Sequence, residues 1–126
     1  MDNLKKRDNP FTDYNHMEIA RAEQDYAEVY LDVTREATNV YHVVHGGALF
    51  TMADYCAGVT ACSNGRRYVT QDASVQFIRN TGTGRITASS KVISRGRRIC
   101  VVEVKITGED GMLLFNSVFS MYCLDA

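Results

Sequence analysis

The chain has 126 residues, which is enough for one domain with a sizeable hydrophobic core. Its 14 basic and 15 acidic residues leave a net charge of -1, which gives no reason to expect nucleic acid or membrane as a partner. The first residues lack the apolar segment of a secretory signal, so we expect a cytoplasmic protein.

The N-terminal region differs in composition from the rest of the chain. Residues 1–15 are mainly polar and contain the only proline, Pro10, so we expect a loose arm or a short helix there. We expect residues 16–126 to form a single domain. A short strand is predicted around Met17–Ala22, followed by a half-exposed strand in which apolar residues alternate with polar ones from Ala27 to Thr34.

Residues 35–44 are expected to form a loop that leads into one long helix at about residues 46–64. This segment is apolar on almost every side, a pattern that indicates a buried helix or a membrane span. Asn64-Gly65 supplies a stop signal, and the run is too short and too polar for a bilayer span. The sequence therefore predicts the central helix of a soluble domain.

Four alternating runs follow the helix, with a glycine in each turn between them. They cover Tyr68–Arg79, Ile86–Ser94, Ile99–Thr107 and Met112–Leu124. In the first of them, Val69 shares its face with Ala73, Val75 and Phe77. Two strands, a helix and a four-strand meander predict an α+β fold, in which an antiparallel sheet wraps around the helix.

The cysteines and histidines indicate neither disulfides nor a metal site. The four cysteines lie in apolar segments without a Cys-x-x-Cys pair, so we expect small buried side chains in a reducing compartment. His42 and His45 have the spacing of two metal ligands, but no third ligand clusters with them. We therefore expect no metal and no cofactor.

Asp54 is the only charged residue within the predicted helix. A buried carboxylate is costly unless it is paired, hydrogen-bonded or used, so Asp54 is either a structural residue or a functional one. At the start of the helix, Gly46 and Gly47 leave the first backbone N–H groups open to close approach by a ligand. Those N–H groups lie at the positive end of the helix dipole, where they can polarise a carbonyl group.

The distance between Gly46 and Asp54 constrains how the two residues can cooperate. Eight residues correspond to ~12 Å along a helix, so both cannot reach one reacting carbon from the same chain. An antiparallel second copy of the helix brings Gly46 of one chain opposite Asp54 of the other. If Asp54 is catalytic, we therefore expect a symmetric homodimer with two composite sites.

These residues also carry a family resemblance. The motif positions are Asn39, His45-Gly46-Gly47, Leu49, Ala53-Asp54 and Val69-Thr70. Together they resemble the phenylacetate-type (PaaI-like) acyl-CoA thioesterases, and the similarity runs from about Met17 to Leu124. The resemblance implies the hotdog fold, edge-to-edge dimers that assemble into a homotetramer, and hydrolysis of an acyl-CoA thioester.

The resemblance also implies roles for individual residues. Gly46 would polarise the thioester carbonyl, and Asp54 would attack it or activate water. His45 would orient or polarise the thioester, with a helix-entry residue as the alternative. For Asn39 the alternative to a role in orienting water is a turn former, and for Thr70 the alternative to a contact with water or sulfur is β-propensity.

The expected substrate contacts lie along the helix and at the rim of the site. Gly47, Phe50 and Tyr55 are predicted to contact an aryl or medium-chain acyl group that runs between the two helices, past Met52. Arg79 and Arg97 are candidates for the phosphates of coenzyme A, although exposed turn arginines are usually just solvated. One departure from the family pattern is Asn80, which replaces a proline and is expected to loosen its turn.

Two other functions remain open at this stage. A hotdog hydratase or dehydratase would act on an enoyl-CoA and release no free thiol. A non-catalytic acyl-CoA-binding protein would keep the pocket and the dimer but would turn nothing over.

Overall fold

The computed structural model of the chain describes residues 8–126, and the first seven residues of the expected N-terminal arm lie outside that range. A short helix, α1 (Pro10–Tyr14), begins with its proline in the first turn and buries Thr12. It packs against the long central helix α2 (Gly46–Ala61). The division of the chain into an arm and a domain at residue 15 stays a prediction.

Six strands form one antiparallel sheet around α2. Their bounds are β1 (Glu18–Glu23), β2 (Tyr26–Asp32), β3 (Tyr68–Phe77), β4 (Arg85–Arg95), β5 (Ile99–Thr107) and β6 (Leu113–Cys123). Single turns of 3-10 helix cover Arg35–Ala37 and Cys62–Asn64. The predicted α+β fold is confirmed, and each strand begins and ends within about two residues of its expected position.

The order of strands in the sheet is β1-β2-β4-β5-β6-β3, which corrects the expected four-strand meander. Only β4, β5 and β6 form a meander, because β2 occupies the place beside β4. The strand β3 therefore crosses to the far edge and pairs with β6. Alternating hydrophobicity predicts where each strand lies along the chain, but it does not indicate which strands are neighbours in the sheet.

The sheet covers only one side of α2. The buried helix residues are Leu49, Met52, Ala53, Cys56, Ala57, Val59, Thr60 and Ala61. The opposite side of the helix is a partly exposed stripe, which we define as Gly47, Phe50, Thr51, Asp54 and Gly58. The expectation that the whole helix is buried is therefore wrong for a single chain, and Asp54 lies on the open stripe rather than in the core.

All four cysteines lie within the described residues, and all are buried and unpaired, as expected. Burial raises the pKa of the Cys56 thiol well above its usual range. None of the helices in residues 8–126 has the length and apolar character needed to span a bilayer.

A β-bulge changes which residues of β3 face the helix. The pairing with β6 shifts between Thr70 and Asp72, so that Gln71 is an extra residue. Before the bulge Thr70 lies opposite Met121, and after it Ala73 lies opposite Phe119, two buried positions on the helix side of β6. The prediction that Val69 shares a face with Ala73 is therefore wrong, and Thr70 takes that place.

The two outer strands of the sheet have different character. Strand β1 has six residues and carries charged side chains, which discourage pairing with another chain. Strand β3 has ten residues, and it exposes 46% of Val69 and 56% of Phe77. A long exposed edge that includes apolar side chains is a place where a further strand can pair.

The loop before α2 is held by the turn between β3 and β4. The N–H of Val44 donates to the Thr81 carbonyl at 3.0 Å, and the Asn80 side chain donates to the Val44 carbonyl at 2.8 Å. The expectation that Asn80 loosens this turn is wrong, because its amide ties the turn to the residue before His45. Gly82 allows the approach, since a Cβ added there would lie 2.4 Å from the carbonyl oxygen of His42.

We expect Gly82→Ala to lower the free energy of unfolding by about 1–3 kcal/mol, because the added methyl group clashes with fixed backbone. Urea denaturation monitored by circular dichroism would measure the loss.

The matched control is Gly58→Ala, where an added Cβ meets nothing within 4 Å. In the middle of α2 this change should raise stability by about 0.5–1 kcal/mol. Equal stability of Gly82→Ala and the unchanged protein would show that the loop before α2 is not fixed by this contact.

Candidate functional site

Asp54 and Thr70 are in direct contact. The Thr70 hydroxyl donates to Oδ1 of Asp54, and it also lies 3.6 Å from the sulfur of Met121. The contact exists because the bulge in β3 turns Thr70 toward the helix. A hydroxyl that donates to one carboxylate oxygen orients the carboxylate, which leaves Oδ2 of Asp54 free to face a ligand.

A groove of about 450 Å³ opens beside this pair, and we call it the Asp54 groove. It is lined by Asn9, Asp54, Tyr55, Gly58, Val59, Cys62, Tyr68, Val69, Thr70 and Met121. Apart from the Asp54–Thr70 pair and Asn9, these are apolar, aromatic or small residues. The groove therefore places a single carboxylate beside mainly apolar and aromatic side chains, which suits a ligand with one reactive group and an apolar tail.

His45 is the N-cap of α2. Its Nδ1 accepts a hydrogen bond from the Gly47 N–H at 2.8 Å, so in this geometry the ring proton is on Nε2. A Cβ at Gly47 would lie 3.0 Å from Nδ1 of His45, so a larger residue at this position would have to displace the histidine ring slightly. Among residues 8–126 no acceptor is found for the Gly46 N–H, which remains available to a ligand at the positive end of the helix.

His45 and Gly47 border a second cleft of about 600 Å³, on the other side of α1. Its walls also include aromatic residues of the N-terminal segment, Phe11 and Tyr14. Asp54 does not line this cleft, and neither His45 nor Gly47 lines the Asp54 groove. Within one chain, the expected catalytic residues therefore fall into two separate places.

Asn39 acts as a turn former in this structure. Its side-chain oxygen accepts from the N–H groups of Tyr41 at 2.9 Å and Val43 at 3.4 Å. These bonds close the exposed loop that precedes the helix. Asn39 borders neither the Asp54 groove nor the His45 cleft, so a role in orienting water stays a prediction.

The predicted acyl-contact residues separate into three groups. Tyr55 lines the Asp54 groove, and burial is the main cause that raises the pKa of its phenol. Phe50 is 37% exposed on the open stripe and packs against Phe119, with 5.6 Å between ring centroids. Met52 is completely buried in the core, so the expectation that the acyl group passes it is wrong.

Arg79 and Arg97 lie at opposite ends of the sheet. Arg79 follows the end of β3, close to the start of α2, where the Phe77 ring lies beside Gly46. Arg97 is in the turn after β4, whose last residue, Arg95, contacts the carbonyl of Ala61 at the helix end. Both side chains are exposed, and one chain does not bring them together.

Within the described part of the chain, no group of three or more histidine, cysteine or acidic residues is arranged to hold a metal ion. His42 is exposed and has a positive φ of 63° at the tip of its loop.

Several groove residues were missed by sequence reasoning. Gly58, Cys62, Tyr68 and Met121 come from four different elements, and only the pairing of β3 with β6 and the packing of α2 bring them together. Arg95 was not singled out by the sequence either, since it lies at a turn with Gly96 and Arg97. In the structure it reaches back to the end of α2, a contact between residues 34 positions apart that no local pattern signals.

Comparison with known proteins agrees with this architecture. The family model described as the thioesterase superfamily matches residues 41–115, well over half of the chain. A conserved protein of Pseudomonas aeruginosa, PA5202, has a solved structure that superimposes with a TM-score of 0.90 at 25% identity, over 97% of this chain and 98% of that one.

Two further relatives carry functional descriptions. The structure of a hypothetical thioesterase protein with coenzyme A from Streptococcus pneumoniae superimposes with a TM-score of 0.82 at 28% identity, over 86% of this chain and 88% of that one. The acyl-coenzyme A thioesterase PaaI of Escherichia coli is 27% identical over 94 residues, which cover 74% of this chain and 67% of that protein. The chain therefore belongs to the thioesterase superfamily and is a thioester hydrolase with the hotdog fold.

Proposed function

We propose that this protein is an acyl-CoA thioesterase that hydrolyses aryl or medium-chain acyl-CoA to the free acid and coenzyme A. The observation that carries the proposal is Asp54, held by Thr70 at the mouth of an apolar groove in a thioesterase-family chain. Two relatives support the substrate class: the Escherichia coli protein is named an acyl-CoA thioesterase, and the Streptococcus pneumoniae structure contains coenzyme A.

The working unit of this proposal is a homodimer. Antiparallel helices that bring Gly46 opposite Asp54 bring residue 50 opposite itself, so the two-fold axis passes Phe50. This residue lies on the open stripe of α2 and is 37% exposed, and a partner's stripe would cover it. Each composite site then combines the free Gly46 N–H of one chain with the Asp54–Thr70 pair of the other.

The exposed edge of β3 supports the same arrangement. Pairing of two β3 strands across the axis would satisfy their outer backbone groups and cover Val69 and Phe77. Assembly of two such dimers into a homotetramer stays a prediction.

The chemistry requires only these groups and water. The Gly46 N–H stabilises negative charge on the carbonyl oxygen as the tetrahedral intermediate forms. The Asp54 carboxylate either takes a proton from the attacking water or attacks the carbonyl carbon itself, and the second route ends in hydrolysis of an anhydride. In both routes the C–S bond breaks, and coenzyme A leaves as its thiolate.

The remaining contacts of the proposal are at the rim. Arg79 of one chain and Arg97 of the other come near one composite site in the antiparallel dimer, where they can contact phosphates of coenzyme A. His45 positions the first turn through its bond to Gly47 and offers Nε2–H to the thioester. Buried, unpaired cysteines support a reducing location such as the cytoplasm.

Membership of the thioesterase superfamily favours hydrolysis over the two alternatives. A hydratase would leave the thioester intact, and an acyl-CoA-binding protein would have no use for a carboxylate oriented at the mouth of the groove. Release of free thiol distinguishes hydrolysis from both.

We expect Asp54→Asn to lower kcat/KM by on the order of 10²-fold or more, because the amide is neither a base nor a nucleophile. The measurement is free-thiol release from short, medium, long and aryl acyl-CoAs.

Asp72→Asn is the matched control, since it removes a carboxylate of β3 from the face of that strand opposite Thr70. It should keep the activity of the unchanged protein. Equal activity of Asp54→Asn would make Asp54 a structural residue and overturn the mechanism. A single turnover in heavy-oxygen water identifies the nucleophilic route if the label appears in Asp54, because water that attacks the Asp54 carboxyl carbon of the anhydride leaves its oxygen on the protein.

Gly46→Pro tests the backbone donor. Proline lacks the N–H but suits the first position of a helix, and the preceding His45 already has φ −61° and ψ 136°. We expect kcat to fall about 10²-fold or more with little change in stability. Gly46→Ala keeps the N–H, and its methyl group would meet the Phe77 ring at an acceptable 3.4 Å, so it should stay active.

Mixed dimers test whether the site is shared. Asp54→Asn and Gly46→Pro chains, co-expressed with different affinity tags, give a heterodimer in which one of two sites has both intact residues. We expect about half of the normal activity from this heterodimer, although each parent is inactive. A heterodimer no more active than its parents would mean that both residues serve a site within one chain.

A further inference from the structure

The Asp54 groove has a defined direction. Strand β3 runs antiparallel to α2: Phe77 lies beside Gly46, Thr70 contacts Asp54, and Tyr68 reaches the end of the helix. The helix wall of the groove extends from Asp54 to Cys62. Eight residues span ~12 Å along the helix, so the groove starts at the carboxylate and ends near Tyr68.

The Tyr68 side chain is fixed at that end by two hydrogen bonds. Its hydroxyl accepts from the Asn64 side chain at 3.0 Å and from Nη1 of Arg95 at 3.0 Å. The Arg95 guanidinium also lies 5.7 Å from the centre of the Tyr68 ring. A ring held from two sides cannot swing away without breaking these contacts, so it forms a rigid wall.

Arg95 is itself held by the end of α2 and by the turn between β1 and β2. Its Nη1 donates to the Ala61 carbonyl and its Nη2 to the Asp25 carboxylate, both at 2.9 Å. Only 20% of the Arg95 side chain is exposed. The positive charge of Arg95 is therefore balanced by the Asp25 carboxylate and by the carbonyl groups at the end of α2. At this end of the groove the ligand meets the Tyr68 ring, and the Arg95–Asp25 ion pair lies behind that ring.

The partner's helix leaves the distal part of the Asp54 groove uncovered in the proposed dimer. Because the partner's helix begins opposite Asp54, it does not extend over the part of α2 from Tyr55 to Cys62. Gly58 contributes no side chain to this stretch, and an added Cβ there would have nothing within 4 Å. The space beside Gly58 is therefore free for a ligand and is bounded by Val59 and Met121.

We propose that the acyl chain lies in the Asp54 groove with its carbonyl at Asp54, and that Tyr68 limits the length of chain that fits. The inference rests on the proposed function. Tyr68 is then a specificity-determining residue, and Arg95 is a positioning residue that acts through the Tyr68 ring. The groove accepts medium-chain and aryl acyl groups and excludes long straight chains, whose ends meet the ring.

The test is a chain-length profile of kcat/KM over butanoyl-, octanoyl-, dodecanoyl- and palmitoyl-CoA. We expect Tyr68→Ala to raise the ratio of palmitoyl-CoA to octanoyl-CoA activity roughly tenfold or more, because extra methylenes gain room to bind. Tyr68→Phe keeps the ring but removes the hydroxyl that Asn64 and Arg95 bind, so we expect it to raise this ratio less than Tyr68→Ala does. A Tyr68→Ala profile identical to the unchanged one overturns the inference.

We expect Gly58→Leu to shift the chain-length profile toward shorter acyl groups. This second variant keeps the inference testable if Tyr68→Ala fails to fold. The leucine side chain fills the groove midway, so octanoyl-CoA activity should fall roughly tenfold while butanoyl-CoA activity is retained. Size-exclusion chromatography checks that the oligomeric state is unchanged. Equal loss for both substrates would show that the acyl chain does not pass Gly58.

Arg95→Lys tests the positioning residue. Lysine keeps the charge but cannot bond the helix end, Asp25 and Tyr68 together, so the wall loosens. We expect the length profile to broaden toward dodecanoyl-CoA. A uniform decrease for every chain length would show a purely structural role for Arg95.

The outcomes separate this inference from the proposed function. If the unchanged protein releases thiol from none of the acyl-CoAs, the proposed function fails and the inference fails with it. If the unchanged protein is active and its profile does not respond to Tyr68 or Gly58, only the inference fails.

Discussion

A six-stranded sheet can wrap only one side of a helix, and the other features of this protein depend on the side that it leaves open. The sheet buries the apolar face of α2 from Leu49 to Ala61, which supplies the centre of the hydrophobic core. The remaining stripe carries Asp54 and Phe50 to the surface. A helix is rigid, so it also keeps the free Gly46 N–H ~12 Å from Asp54. These two facts are the reason for proposing that a second chain completes the site.

Strand β3 contacts the start, the middle and the end of α2, where the parts of the candidate site lie. It runs antiparallel to α2, so Phe77 is beside the free N–H of Gly46, Thr70 contacts Asp54, and Tyr68 lines the groove toward the end of the helix. Its one bulge determines that Thr70, and not Val69, faces the helix. Its outer edge has no partner within residues 8–126. One strand therefore contributes to the core, to the proposed chemistry and to the proposed interface.

Patterns within one element were predicted well. The period of two located the strands, and the glycines located the turns between them, because both follow from local backbone geometry. The start of α2 at Gly46 and the left-handed Gly65 after its final turn were also expected. In contrast, Met52 was expected to face the substrate and is buried, since apolar residues all around a helix do not indicate which side meets the sheet.

The sequence by itself determined the elements, the helix with one carboxylate, and the separation of Gly46 from Asp54, since each follows from local geometry along the chain. Only the tertiary structure decided that β3 crosses to the far edge and that its bulge brings Thr70 to Asp54. The same holds for Asn80, which ties its turn to Val44, and for Arg95, which reaches Tyr68 and Ala61. These contacts join residues 16 to 36 positions apart. Their geometry is set by how sheet and helix pack, and no local pattern encodes that packing.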